Sequence, residues 1–307
     1  MKNKTLLLIF LILLSVFLIS QYAFERKTRS FKTALIQVDT AAITSIRLYP
    51  KSDNQKEILL KKENDFWVAT QDNVTTEANA GAINALLRNL ALIKTKRVAA
   101  KKAEKWSEYE MEEGKGSRVK VYKGDKLLED FTVGRFNFNQ QTRSGTSYVR
   151  LEEGDEVYAI DGFLSMTIGQ GFESYRNKDF LNINKEQINK IAFSSNGIAT
   201  SFLKEGDYWM KDGIKMDSTL MSDYLSDIQS IVGTTFVDDF EETQNRQLLF
   251  NTLSLEGTGI TTPIIIKAFR DTTRAEPYIL QSSQNQNSYF ASGEDGLYGR
   301  LFNKFAL

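Results

Sequence analysis

The sequence contains no cysteine and no histidine, so only its carboxylates, amines, phenols and hydroxyls could act as acids, bases or nucleophiles. Thiol nucleophiles, Ser-His-Asp triads, imidazole bases, Cys/His zinc sites, disulfides and a lipidated N-terminal cysteine are excluded with them. Carboxylates cluster in three runs: Glu108, Glu110, Glu112 and Glu113; Glu152, Glu153, Asp155 and Glu156; Asp238, Asp239, Glu241 and Glu242. A glycosidase needs two acids facing each other across a cleft, and a calcium loop needs an ordered Asp/Asn/Gly spacing. None of the runs has either pattern, and the Walker and Rossmann glycine motifs are missing. The runs read as surface turns, and the expectation is no catalytic residue, no metal site and no cofactor.

Binding is the chemistry left to consider. A basic cluster of Lys94, Lys96, Arg97, Lys101, Lys102 and Lys105 leads to Trp106 and could meet lipid phosphates or an acidic partner. The competing reading is a solvated helix end with cations placed favourably at its C-terminus. Trp106, Lys101, Lys102 and Lys105 are the candidate partner or lipid contacts, because they are the features that the internal repeat described next leaves unexplained. Nucleic acid is not expected: the 39 basic and 39 acidic residues balance, and no stacking aromatics interleave the basic run.

The elements that must hold these residues repeat along the chain. Leu35-Ile36-Gln37-Val38-Asp39 aligns with Phe180-Leu181-Asn182-Ile183-Asn184, and Ile43 and Ile46 with Ile188 and Ile191. Trp67 aligns with Trp209, and equivalent places in two copies predict a shared packing role for both. An amphipathic helix follows each Trp: Ile83, Leu86, Leu87, Leu90 and Ile93 match Met221, Tyr224, Leu225, Ile228 and Ile231, a helical stripe that faces a core. Short strands are predicted after the helices, at Val119 to Tyr122, Glu129 to Val133, Tyr148 to Leu151 and Val157 to Ile160 in one copy. In the other they fall at Ile264 to Phe269, Tyr278 to Leu280, Tyr289 to Ala291 and Leu297 to Tyr298. The predicted fold is α+β: residues 1–30 as stub, anchor and juxtamembrane segment, then modules over 31–176 and 177–307, each an antiparallel sheet with one packed helix.

From Thr5 to Phe24 the chain is apolar apart from Gln21, long enough as a helix to cross the roughly 30 Å bilayer core once. It reads as an uncleaved anchor. A cleaved signal peptide is the alternative, although no small-x-small cleavage pattern follows Ser15. Arg26, Lys27, Arg29 and Lys32 after the span favour a cytoplasmic body by the positive-inside rule, whereas the two-lysine start before a Leu/Ile-rich core is how export signals begin. The exported orientation is the reading adopted, with residues 25–33 as a tether of at most about 30 Å.

The pattern resembles a family known as domain of unknown function 4340 (DUF4340). The likeness lies in the anchor, Ile43-Thr44-Ser45-Ile46, the Lys61 to Trp67 unit, the helix from Ala82 to Ile93 and the Trp106 to Met111 element. It continues in Thr132-Val133-Gly134 before Tyr148-Val149-Arg150, and in Tyr175-Arg176-Asn177-Lys178-Asp179-Phe180-Leu181. Glu110 stands where such proteins commonly carry a glycine. The resemblance implies a membrane-tethered envelope protein, often associated by gene neighbourhood with ABC-type export or gliding-motility auxiliary components. The localisation expected from the anchor is the bacterial inner membrane, single-pass, with the bulk of the chain periplasmic. It supplies no catalytic residues. The functional expectation is a non-catalytic binding or scaffold module touching a membrane complex such as an ABC-type permease. The alternatives are an envelope carbohydrate-binding or carboxylate-dependent hydrolytic domain, and a tethered cytoplasmic domain.

Overall fold

The computed structural model describes Leu13–Ser15, residues 34–195 and residues 197–305. Apart from those three residues the Thr5 to Phe24 segment lies outside the described part; among the described residues no helix is long and apolar enough to cross a membrane. The chain forms two compact units, Met1–Lys61 with Gly81–Gly171, and Lys62–Ala80 with Phe172–Leu307.

The first unit begins with β1 (Ala34–Gln37), β2 (Ser45–Tyr49) and β3 (Ile58–Glu63). The chain then enters the second unit as β4 (Phe66–Gln71) and β5 (Val74–Glu77) and returns as α1 (Ala80–Ala91). β6 (Leu92–Ala100), β7 (Ser117–Lys123), β8 (Lys126–Asn139), β9 (Ser144–Leu151), β10 (Val157–Asp161) and the short helix α2 (Leu164–Ile168) complete it. Its strands lie in the order β1-β6-β10-β9-β8-β7-β2-β3. Period-two alternation sorts the two faces. Ile46 and Leu48, Val119 and Val121, Phe131 and Val133, with Val149, are buried on one face. Arg47 and Tyr49, Arg118 and Lys120, Asp130 and Thr132, with Arg150, alternate with them onto the other. The Gly124-Asp125 turn joins β7 to β8 with Gly124 at φ 57°, where a Cβ would be strained. α1 buries Ile83, Leu86 and Leu90. It ends before Ile93, because Leu92-Ile93 already belongs to β6, which pairs with β1 and β10.

The second unit contains β11 (Asp179–Asn182), β12 (Ile188–Ser195), β13 (Ile198–Glu205), β14 (Tyr208–Lys211), β15 (Ile214–Lys215), α3 (Ser218–Ile228) and β16 (Ser230–Val232). Then come β17 (Leu249–Gly257), β18 (Ile264–Arg270), β19 (Tyr278–Ser282), β20 (Asn285–Ser292) and α4 (Leu297–Phe302). Eight strands run β15-β14-β13-β12-β17-β18-β19-β20, and β11 pairs with β16. Asp217 caps α3 by accepting the Thr219 N–H at 2.8 Å, and the stripe Met221, Tyr224, Leu225, Ile228 joins Ile191, Phe193, Phe202, Trp209, Leu253, Ile266 and Leu280 in one core. The Tyr224 hydroxyl, at the bottom of this core, donates to the Leu301 carbonyl at 2.8 Å.

The two units together are mostly antiparallel sheet with a few helices, an α+β architecture. One strand expectation needs correcting. Leu297-Tyr298 opens α4 instead of forming a strand, since Tyr298, Leu301 and Phe302 recur at helical spacing and all three are buried. The β4–β5 hairpin, which the repeat assigns to the first module, is grouped with the second unit. There the Asn177 N–H donates to the Glu77 carbonyl and the Asn79 N–H to that of Tyr175, both at 2.8 Å, while the Thr76 and Ser288 hydroxyls meet at 3.2 Å. Trp209 is buried in the core as a packing residue; Trp67, on β4, is half-buried.

Candidate binding cleft

The polar face of the first unit carries a cleft of about 640 Å³ lined by Tyr49, Gln55, Trp106, Met111, Glu112, Glu113, Arg118, Lys120, Thr132, Arg150 and Glu152. Register builds its floor. Tyr49 lies opposite Arg118, Arg118 opposite Thr132, and Thr132 opposite Arg150, a row across β2, β7, β8 and β9; Arg47, Lys120 and Asp130 form the neighbouring row. Placing cations and acceptors on adjacent strands of one face yields cross-strand ion pairs. Arg118 grips Asp130 through two bonds of 2.8 Å and lies 3.6 Å from Glu152. Arg150 donates to Glu152 at 2.6 Å, and the Thr132 hydroxyl donates to the same carboxylate oxygen at 2.9 Å. At the far side Arg47 and the Tyr49 hydroxyl both donate to Glu57.

These contacts set the protonation states. The hydrogen bond to Asp130 raises the Arg118 pKa further, and burial followed by the bond to Glu57 pushes the Tyr49 phenol up to about 12. Arg150 is only 8% exposed, and its Nε is buried without a partner.

One wall of the cleft is the irregular segment after β6. Two 3-10 turns, Ala103–Lys105 and Ser107–Tyr109, fold it over the sheet, where Trp106 and Tyr109 pack with Ala100, Met111, Tyr148, Val157 and Ala159. The Arg150 guanidinium lies over the Trp106 ring at 4.2 Å, the indole N–H donates to the Asp155 carbonyl at 2.9 Å, and the Tyr109 and Tyr148 ring centroids are 4.7 Å apart. The segment can lie this low because two glycines beneath it lack side chains. A Cβ on Gly134 would stand 2.1 Å from the Tyr109 carbonyl oxygen, and one on Gly116 would stand 2.7 Å from that of Glu110.

Of the four candidate contacts, the fold brings only Trp106 into the cleft lining. Lys101 and Lys102 are exposed where β6 ends, and Lys105 is exposed beside Glu108, 3.4 Å away. Lys94, Lys96 and Arg97 sit on a strand, not a helix end, so their charge does not complement a helix dipole. The acidic runs are also more than surface turns, since they supply Glu152 to Arg150, Asp238 to Arg176, Asp239 to Arg274 and Glu242 to Lys267. Among the described residues no group of three or more acidic side chains is arranged to hold a metal ion. The cleft residues that sequence reasoning passed over are Tyr49, Arg118 and Lys120; Thr132 and Arg150 entered it only as parts of segments that carry the family resemblance. Their signal was the polar half of each alternating strand, which becomes a site only through the register.

A family model described as a domain of unknown function (DUF4340) matches residues 67–248, more than half of the 307-residue chain. The chain belongs to the DUF4340 family. No curated protein and no solved structure matches it. In this DUF4340 chain three segments distant in sequence, Trp106 to Met111, Thr132-Val133-Gly134 and Tyr148-Val149-Arg150, converge on the one cleft. Glu110, where the resemblance leads one to expect a glycine, has φ 57° and ψ 42°, so the position is left-handed and suits glycine. The Tyr175-Arg176 pair of this DUF4340 chain serves the second unit. Arg176 is 1% exposed, binds Asp238 at 2.6 and 2.8 Å and Glu173 at 3.1 Å, and lies 3.5 Å from the Phe236 ring centroid.

Proposed function

We propose that this chain is a non-catalytic binding or scaffold protein, held at the extracytoplasmic face of a bacterial inner membrane by the Thr5 to Phe24 segment. On this reading it contacts a membrane complex of the ABC-transporter type through the cleft of its first unit, and its two modules are tandem copies. The copies are supported by a shared order of elements: strand, 3-10 turn, four strands, helix, strand, four strands, short helix. Asp39 and Asn184 also cap their 3-10 turns in the same way.

The observation that carries the binding reading is the cleft's ion network. Asp130 and Glu152 are each committed to a guanidinium, an arrangement that prepays side-chain ordering for recognition and leaves those two carboxylates engaged. Glu112 and Glu113 at its rim offer the accessible charge. The test is crosslinking of the full-length protein in its native membrane, followed by mass spectrometry, with a copy on an unrelated single-span anchor as control. A permease or other envelope complex should be recovered with both copies and lost with the Glu112→Lys/Glu113→Lys variant. Recovery of nothing reproducible, or recovery indifferent to that variant, would refute the reading.

A second reading is favoured by Trp106 lining a cleft beside Arg118, Thr132, Arg150 and Glu152, since an aromatic among hydrogen-bonding groups also suits a sugar. Glycan binding that is lost in Trp106→Ala would replace the scaffold assignment with an envelope carbohydrate-binding domain.

A further inference from the structure

The end of the first unit away from the Gly124 turn exposes large apolar side chains. Phe138 is 52% exposed, Phe163 47% and Met166 55%, and Phe163 lies 6.3 Å from Phe138 by ring centroids. Cations border these rings on two sides. A groove of about 570 Å³ runs between Lys96, Arg97 and Phe138, and a recess of about 120 Å³ is lined by Arg88, Leu92, Lys94 and Phe163. Asp161, which lines that recess, is paired with Lys96 at 2.7 Å.

The chain enters the fold at the same place. Ala34, the first described residue after the tether, pairs with Lys94 across β1 and β6; Thr95 pairs with Ile160, Asp161 with Thr146, and Thr146 with Asn137. The strand start, the basic residues and the exposed rings therefore share one edge of the sheet. Only residues 25–33 separate that edge from the twenty-residue apolar segment, a span of at most about 30 Å. Aromatic residues bordered by lysine and arginine match the interface of an anionic bilayer, where rings settle at headgroup depth and each cation adds about fivefold to binding.

We infer that the edge formed by Phe138, Phe163, Met166, Lys94, Lys96 and Arg97 rests on an anionic lipid surface and fixes the orientation of the first unit on the membrane. This rests on the reading of Thr5 to Phe24 as an anchor, and the test separates the two. Because the chain has no cysteine, a single introduced one is the sole labelling site. Gln140→Cys and Met166→Cys at the proposed contact, Lys126→Cys at the opposite end of β8, and Leu13→Cys in the apolar segment would each carry a nitroxide. The full-length protein would be reconstituted in vesicles of equal parts zwitterionic and anionic lipid.

The expected result is that labels at 140 and 166 are accessible to oxygen and shielded from a water-soluble nickel chelate, while the label at 126 shows the reverse. The shielding should weaken in purely zwitterionic vesicles and in the Lys94→Gln/Arg97→Gln variant. Labels at 140 and 166 as open to nickel as the one at 126 overturn the inference. A shielded label at 13 in that experiment leaves the anchor standing; an exposed one refutes the anchor, and shielding at 140 and 166 would then support the surface contact by itself.

Discussion

The guanidinium of Arg150 lies over the indole of Trp106, 4.2 Å from the ring centroid, while the indole N–H reaches past it to the Asp155 carbonyl. Each residue thereby holds the other. Trp106 lies between two short 3-10 turns outside the sheet ladder, and Arg150 is a nearly buried cation whose charge is met by one carboxylate and one aromatic face.

Removing the ring should cost more than its area. Trp106→Ala loses a cation–π contact of roughly 0.5–2 kcal/mol in addition to the packing against Tyr148 and Met111. A double-mutant cycle with Arg150→Met should return a coupling of about 1 kcal/mol in urea unfolding. A coupling near zero would mean that the two residues are neighbours without an energetic bond.

Glu110 and Gly134 should respond in opposite directions. Glu110→Gly removes a left-handed penalty of roughly 1–2 kcal/mol and gives up an exposed ion pair with Lys51 worth less than that. The variant should melt higher. Gly134→Ala places a Cβ against the Tyr109 carbonyl, which belongs to the backbone, and should cost about 1–3 kcal/mol and lift the Trp106 segment. Tryptophan fluorescence during thermal unfolding reads both changes, and a stabilised Gly134→Ala would sink the packing account.

In the second unit the two partners of the Arg176–Asp238 pair should not be equivalent. Asp238 is 40% exposed, so Arg176→Met leaves a carboxylate that water can reach. Asp238→Asn instead leaves a guanidinium at 1% exposure with Glu173 as its remaining charged partner and with Nε already unpartnered. The Asp238→Asn change should therefore be the costlier, by roughly 2–4 kcal/mol against wild type, because it strands the buried charge. Equal denaturation midpoints for the two variants would contradict this.

Alkaline pH should act in part through Tyr49, one of several tyrosines whose pKa burial raises. Its folded pKa of about 12 exceeds the unfolded value near 10, so the folded state prefers the neutral phenol. The resulting stability is fully present below about pH 10 and is lost as pH rises from there toward about 12. Tyr49→Phe should flatten that part of the stability curve, and ultraviolet titration should show one fewer late-ionising tyrosine. An unchanged alkaline limb would remove Tyr49 from the account.

Some of the architecture was legible because it is local. The helical stripes of α1 and α3 and the apolar halves of β7, β8, β9, β18 and β19 follow from spacing alone, since an element must bury one face wherever it lies. Leu297-Tyr298 misled because two apolar residues fit either period, and only burial of Leu301 and Phe302 selects a helix. The basic run from Lys94 to Lys105 reads as one patch in sequence. It is divided in space, because Lys94 to Arg97 lie along β6 while Lys101 and Lys102 follow its end.

Composition by itself determined that this chain works without thiol or imidazole chemistry, and periodicity determined which halves of its strands and helices turn inward. Only tertiary structure decided where the polar halves meet. Strand register brings Tyr49, Arg118, Thr132 and Arg150 into one row, and two glycines let the Trp106 segment close over it. The physical reason is range: hydrophobic patterning acts through neighbours in sequence, whereas register and close approach depend on residues that become neighbours only after folding.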